Sequence, residues 1–189
     1  MSKNRKDIDL PENAERVFKG VRFDVYHWQQ KLFDGSYTTF EKIVRNESTS
    51  IIATDAEGFF YINKEIQPGR STFYTLPSGM VEDNEDPLAG AKRELEEETG
   101  LISDNWQLIN KFRPSHIIDW AINTYNAKNC KAIGTVAQEP GEKIESVRLN
   151  STEFVDIIMD DLFRDIPTKI IFLEHYYKNT HEQWLKSLI

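Results

Sequence analysis

At 189 residues the chain suits one domain or one domain plus a small appendage, and 39% apolar residues, with eleven Phe and four Trp, can fill a core. Its formal net charge of −8 argues against a nucleic-acid backbone as the main partner, because such binding neutralises phosphates with Lys and Arg. Cys130 is the single cysteine, which excludes an internal disulfide and a thiolate metal site.

Residues 1–16 are polar and expected to be flexible. "MSKNRKDIDLPENAERVF" lacks the apolar stretch of a secretory signal, and no apolar run reaches the roughly 18 residues of a membrane span. With one unpaired thiol, a cytoplasmic location and no membrane partner are the expectation. "VFKGVRFDVYHWQQ" (17–30) and "SYTTFEKIVRN" (36–46) alternate apolar and polar residues around Asp34-Gly35, which predicts a β-hairpin over 17–46. "TSIIAT" (49–54) and "GFFYIN" (58–63) read as two further strands, and "TFYTL" as a short one in an irregular stretch. Asp86-Pro87 starts a helix that ends near Thr99, with Gly100 in the left-handed position beyond it. "WQLINKF", "WAINTYNAKN", "KAIGTVA" and "KIESVRL" read as strands. Asn150 with Glu153 resembles a capping box before "FVDIIMDDLF", and a last helix begins near Pro167. The order predicts an α+β fold with a mixed sheet between helices.

The middle helix ends by crowding Glu94, Glu96, Glu97 and Glu98 together, although like charges four apart destabilise a helix by roughly 0.2–0.5 kcal/mol per pair. At about 100° per residue, Glu94, Glu97 and Glu98 share an arc of about 100° and Glu96 points away. Gly90 lies one turn earlier on that arc at a cost of about 1 kcal/mol relative to Ala; its expected role is to let a bulky group approach the carboxylates. Leu88, Ala91 and Leu95 form an apolar stripe that would seat the helix on the sheet. From charge alone, a solvated acidic face is the commoner explanation. The other reading is a site for hard divalent cations, which take oxygen ligands, clamp phosphate oxygens and acidify water. Arg93 could brace one of the carboxylates.

The spacing from Gly79 to Leu101 resembles the signature of the Nudix hydrolases, G-x5-E-x7-R-E-U-x-E-E-x-G-U with U a bulky aliphatic. Gly79, Glu85, Arg93, Glu94, Leu95, Glu97, Glu98, Gly100 and Leu101 satisfy every specified place. The resemblance implies the family's α/β/α sandwich over 47–189, preceded by the hairpin extension. It further implies a loop–helix–loop cradle for Mg²⁺ (or Mn²⁺) and cleavage of a nucleoside diphosphate joined to another group. Carried over by position, Glu94 and Glu98 are the main metal ligands, Glu97 contributes, and the Ser78 carbonyl is a further ligand. Arg93 orients the glutamates and, with Glu97, belongs to the catalytic set; Glu85 supports the loop.

Outside the box the chain resembles the subfamily that cleaves ADP-ribose and nucleotide sugars. "EIQPGR" stands where that group has a Gln–Arg element, and the hairpin resembles its dimerisation extension, which implies a homodimer. Thr75 departs from the group's Glu, Ser78 from its Ala, and Pro114 comes earlier than the group's Pro beyond the box. In this subfamily a late loop glutamate often serves as general base, which nominates Glu142 and then Glu139; Glu145 reads as structural. An ordinary acidic turn is the bland alternative. Arg70 and Lys111 could meet the diphosphate, although each also reads as a surface cation. Trp28 and Phe33 could stack on a base, with packing the commoner role for such aromatics. His116, near Asp119 and Trp120, lies in a loop that often tunes substrate choice. The expected function is Mg²⁺-dependent hydrolysis of ADP-ribose or a nucleoside diphosphate sugar to a nucleoside monophosphate and a sugar phosphate. The alternatives are a Nudix hydrolase of a dinucleotide or capped RNA end, and a sensor that binds nucleotide sugars without cutting them.

Overall fold

The structure is a computed structural model and describes residues 10–134 and 143–189. In chain order it begins with β1 (Glu15–Lys19), β2 (Asp24–Lys31) and β3 (Tyr37–Val44). β4 (Ser48–Asp55), β5 (Phe60–Ile66), β6 (Phe73–Thr75) and β7 (Ser78–Met80) lead into helix α1 (Pro87–Thr99). β8 (Leu101–Ile102), β9 (Asn105–Phe112), β10 (Ile118–Asp119), β11 (Ile122–Ala132) and β12 (Lys143–Leu149) follow. Helices α2 (Ser151–Met159), α3 (Ile166–Tyr177) and α4 (His181–Ser187) come last.

Several elements differ from the sequence reading. The strand expected over 17–30 is two antiparallel strands, β1 and β2. Gly20 makes the corner: its N–H donates to Phe23 O at 2.8 Å, and a Cβ there would lie 2.6 Å from that oxygen. Alternation continues across so tight a turn, which is why it read as one strand. Glu15 and Arg16, within the stretch expected to be flexible, already belong to β1, and Arg16 pairs with Asp24 at 3.3 Å. "KAIGTVA" is no separate strand as far as it is described, since Lys131 and Ala132 simply finish β11. β7, β8, β10 and α4 are not among the elements the sequence predicts; strands of two or three residues carry no periodicity, and α4 is a short helix without a side-chain cap.

β2 and β3 pair in register from Asp24 opposite Val44 to Lys31 opposite Tyr37, and their turn holds Gly35 at φ 88°. β10 joins β3 in parallel, completing a four-stranded sheet. The larger sheet runs β12-β5-β4-β11-β8, with β6 on β5, β7 on β4 and β9 on β11. β4 and β11 are parallel and their other neighbours antiparallel, so the sheet is mixed.

Successive side chains of a strand point to opposite faces, and β4 is apolar on both. Ile51 and Ala53 pack on one side with Ala91 and Leu95 of α1, and with Tyr125 and Ala127 of β11. Ile52 packs on the other side with Phe60, Ile62, Phe154, Ile158, Phe172 and Trp184. α1 therefore covers one face of the sheet and α2, α3 and α4 the other, giving an α/β/α sandwich. On α2, Asn150 Oδ1 accepts from Thr152 N and Glu153 N, and Glu153 Oε2 accepts from Asn150 N, a reciprocal cap that fixes where the helix begins.

Candidate active site

Local chemistry sets both ends of α1. Asp86 Oδ1 accepts from Leu88 N at 2.9 Å, Pro87 takes the first turn, and Gly100 closes the helix at φ 67°. Ala91 and Leu95 are fully buried against the sheet, which turns Glu94, Glu97 and Glu98 into a cleft while Glu96 stays exposed. β7 pairs with β4, Ser78 opposite Ser50 and Gly79 opposite Thr49, and so brings the loop before the helix alongside these glutamates.

Each carboxylate has a defined seat. Glu98 Oε2 accepts from Ser78 N at 2.9 Å and from Asn63 Nδ2 at 2.8 Å. Glu94 lies against Gly79, where a Cβ would stand 1.9 Å from Glu94 Oε1. Arg93 joins the rest: its Nε and Nη2 each donate at 3.1 Å to Glu85, one to each carboxylate oxygen. Its Nη1 donates to Glu94 Oε1 at 2.8 Å and Glu97 Oε2 at 3.1 Å, and Nη2 also donates to Met80 O at 3.1 Å. Gly90 does not open a path to the carboxylates, contrary to expectation. It makes room for Glu85, whose Oε2 would lie 3.0 Å from a Cβ at that position.

Burial dominates the electrostatics. Removal from water pushes the Glu98 carboxyl up to about 9, against the opposing hydrogen bond from Ser78 N–H. Glu94 is also raised, because burial outweighs the attraction of Arg93. Glu85 is lowered by its hydrogen bonds from Arg93, and Arg93 is raised in return.

The cleft has a volume of about 680 Å³. Arg70, Ser78 and the box residues Arg93, Glu94, Glu97 and Glu98 line it. Lys111 does not; it pairs with Glu47 at 2.7 Å. Trp28 packs edge-on against Phe40 and donates to Gln30, and Phe33 is fully exposed at the hairpin tip, so neither reaches the cleft of its own chain. Glu145 lies in β12 near Lys64, whereas Glu139 and Glu142 fall outside the described residues. His116 is exposed, Asp119 pairs with Arg113, and Trp120 lines the cleft.

Sequence reasoning missed Asn63 and Glu65, which are buried on β5. The signal was present in "FYINKEI": Phe60 and Ile62 face the core, so Asn63 and Glu65 share the other face. The Thr75 hydroxyl donates to Glu65, so a carboxylate stands beside the position where the resembled subfamily has its Glu.

Compared with known protein families, residues 44–165 match the NUDIX domain. This chain belongs to the NUDIX family. It is similar to an ADP-ribose pyrophosphatase of Bacillus subtilis (strain 168), 24% identical over 84% of this chain and 83% of that protein. It is also similar to a methanol dehydrogenase activator of Bacillus methanolicus, 29% identical over the same shares of both chains. A solved ADP compounds hydrolase shares the Nudix fold with a TM-score of 0.70 at 19% identity, over 89% of this chain and 93% of that one. With its domain match and its pyrophosphatase relative, this chain is a Nudix pyrophosphohydrolase. No helix of its described residues is long and apolar enough to cross a membrane.

Nudix hydrolases act on nucleoside diphosphate small molecules and generally use divalent metals such as Mg²⁺. The residues of the Nudix box suit such an ion. Their donors are all oxygen, as hard cations require. Burial opposes ionisation of Glu98, and a cation would favour it. The amide that holds Glu98 keeps Asn63 Oδ1 buried without a hydrogen-bond partner. Among the described residues no three acidic side chains are grouped to enclose an ion, and three of the box glutamates, Glu85, Glu94 and Glu97, are engaged by Arg93.

Proposed function

We propose that this protein hydrolyses the diphosphate of ADP-ribose or a nucleoside diphosphate sugar, with Mg²⁺ or Mn²⁺, to a nucleoside monophosphate and a sugar phosphate. The observation that carries the reading is Glu98, a half-buried glutamate whose carboxylate is fixed by Ser78 N–H and Asn63 beside Glu94, in a cleft that Arg70 also lines. The ADP-ribose pyrophosphatase relative supports the substrate class.

Glu94 and Glu98, with Glu97 and the Ser78 carbonyl, would hold the cation. When bound, the cation supplies Lewis acidity toward a phosphate oxygen and acidifies water. Asn63 and the Ser78 N–H keep Glu98 oriented, and a bound cation would favour its ionised form. Arg93, anchored by both oxygens of Glu85, holds Glu94 and Glu97 in place beside Glu98. Arg70 offsets charge on the diphosphate. Glu142, or else Glu139, takes the proton of the attacking water. Water adds to one phosphorus, the bridging P–O bond breaks, and the bridging oxygen leaves with the other phosphate.

Incubation with ADP-ribose, nucleotide sugars, dinucleotides and a capped RNA, with and without Mg²⁺, tests this reading. Mg²⁺-dependent release of a nucleoside monophosphate from ADP-ribose or a nucleotide sugar is the expected product pattern. Cleavage confined to dinucleotides or capped RNA would move the substrate class. Tight binding without cleavage would leave a sensor. The activator relative supports a second role, action on another enzyme, which fits a result in which none of these compounds is cut.

The same reading includes a cytoplasmic homodimer. Val17, Phe18, Val21, Tyr37 and Phe40 are exposed apolar residues on or between β1, β2 and β3, and this exposed apolar surface supports contact with a second copy. Light scattering of the purified chain should give twice the 22.0 kDa mass. A monomer at micromolar concentration would sink the dimer.

A further inference from the structure

Part of the cleft carries positive charge that the box does not use. Arg45, just after β3, lays its guanidinium over the Trp120 ring, 4.3 Å from the centroid, with the Phe23 ring at 5.6 Å. Trp120 is held by its Nε1, which donates to Ser48 Oγ at 3.1 Å, and Arg45 N donates to Asp119 O at 3.1 Å. Arg22 lines the same cleft. Burial and the charge of Arg22 together lower Arg45 from the ordinary arginine range.

Three acids close to this pair in sequence or beside Trp120 are committed elsewhere: Asp24 to Arg16 at 3.3 Å, Glu47 to Lys111 at 2.7 Å, and Asp119 to Arg113 at 3.3 Å. Among the described residues neither Arg22 nor Arg45 pairs with an acid. Arg45 Nε is buried without a hydrogen-bond partner, and its Nη2 makes only a 3.5 Å contact with Ser48 Oγ. Two neighbouring guanidinium groups, one stacked and partly desolvated, disfavour each other unless an anion comes between them. Planar forks of this kind match phosphoryl oxygens bidentately.

Position separates this pair from the reacting centre. Ser50 stands opposite Ser78, whose N–H holds Glu98, and Ser48, which anchors Trp120, lies two residues away on β4. At about 3.3 Å per residue that offset is about 7 Å, and Arg45 comes three residues earlier still. We propose that Arg22 and Arg45, with Trp120 as platform, form a second anion subsite that takes a phosphoryl group carried by the substrate beyond its scissile diphosphate. This rests on the proposed diphosphate hydrolysis and narrows its substrate to a phosphorylated nucleoside diphosphate derivative.

The test compares kcat/KM for ADP-ribose with two phosphorylated forms, one bearing the extra phosphate on the adenosine ribose and one on the distal ribose. Arg22→Ala alters an exposed side chain, and Arg45→Lys keeps the charge while removing the planar fork. The native protein should prefer one phosphorylated form, and each variant should lower that preference by about tenfold to a hundredfold, mostly through KM. ADP-ribose itself should change by less than about twofold. The form that loses its advantage shows which side of the diphosphate the subsite serves. Equal losses on all three substrates, or no preference for either phosphorylated form, would overturn the subsite. If the native protein cleaves none of them, the proposed hydrolysis fails, and calorimetry then decides the subsite separately. Adenosine bisphosphate is compared with AMP, and ribose bisphosphate with ribose phosphate; Arg22→Ala must weaken one bisphosphate alone, and any other pattern sinks the proposal.

Discussion

Gly79→Ala leaves the protein folded and lowers its hydrolytic kcat by about two to three orders of magnitude, the equivalent of about 3–4 kcal/mol of lost electrostatic stabilisation. A Cβ at residue 79 would stand 1.9 Å from Glu94 Oε1, 2.0 Å from its Cδ and 2.4 Å from Oε2, closer than real contacts allow. The obstruction is the far end of a flexible side chain, so Glu94 can swing aside at little cost to the fold. The backbone pairing of β7 with β4 needs no change. What is lost is the seat of Glu94 beside Glu98 and its 2.8 Å contact with Arg93. Melting temperature and kcat measured on the same preparation check this. A variant with native kcat would show that Glu94 has no part in the chemistry, and a collapsed melting temperature would show that the glycine serves packing instead.

Glu98→Gln should separate activity from metal-free stability in the opposite direction. The Glu98 carboxyl has a pKa of about 9 when folded, well above the ordinary glutamate value near 4.5 that the unfolded chain recovers. Below the ordinary value both states keep the proton. Between the two values the unfolded state sheds it while the folded state retains it, so unfolding gains free energy as pH rises. Metal-free native protein therefore loses stability from about pH 5 toward pH 9, with a slope approaching about 1.4 kcal/mol per pH unit. Glu94, raised in the same direction by burial, steepens the loss. Glutamine has no proton to shed, so the variant should hold a flatter stability profile and exceed the native protein at pH 8. Added Mg²⁺ should raise the melting point of the native protein and not that of the variant, whose kcat should fall by about 10²–10³-fold. Superimposable metal-free pH profiles for the two proteins would refute the account of Glu98.

The box helix was legible because its determinants are local. Asp86, Pro87, Gly100 and the apolar stripe of Ala91 and Leu95 lie within one short segment, and caps and helical period act over a few residues. Periodicity likewise announced most strands, and the capping box at Asn150 announced α2. Contacts between distant segments were not legible. Asn63 reaches Glu98 across 35 residues, and Trp120 reaches Ser48 across 72. Alternation could place Asn63 and Glu65 on one face of β5, yet not say whether that face meets water, a helix or a cleft. Gly90 was assigned the wrong neighbour for the same reason: Glu85 arrives there because the loop after β7 folds back over the helix. By itself the sequence determined which residues can form helices, turns and an all-oxygen carboxylate arc, since those follow from short-range sterics and residue chemistry. Only the tertiary structure decided which carboxyl loses its water, which arginine is left without an acid and which glycine must stay small, because burial and pairing are set by the sheet that brings remote segments together.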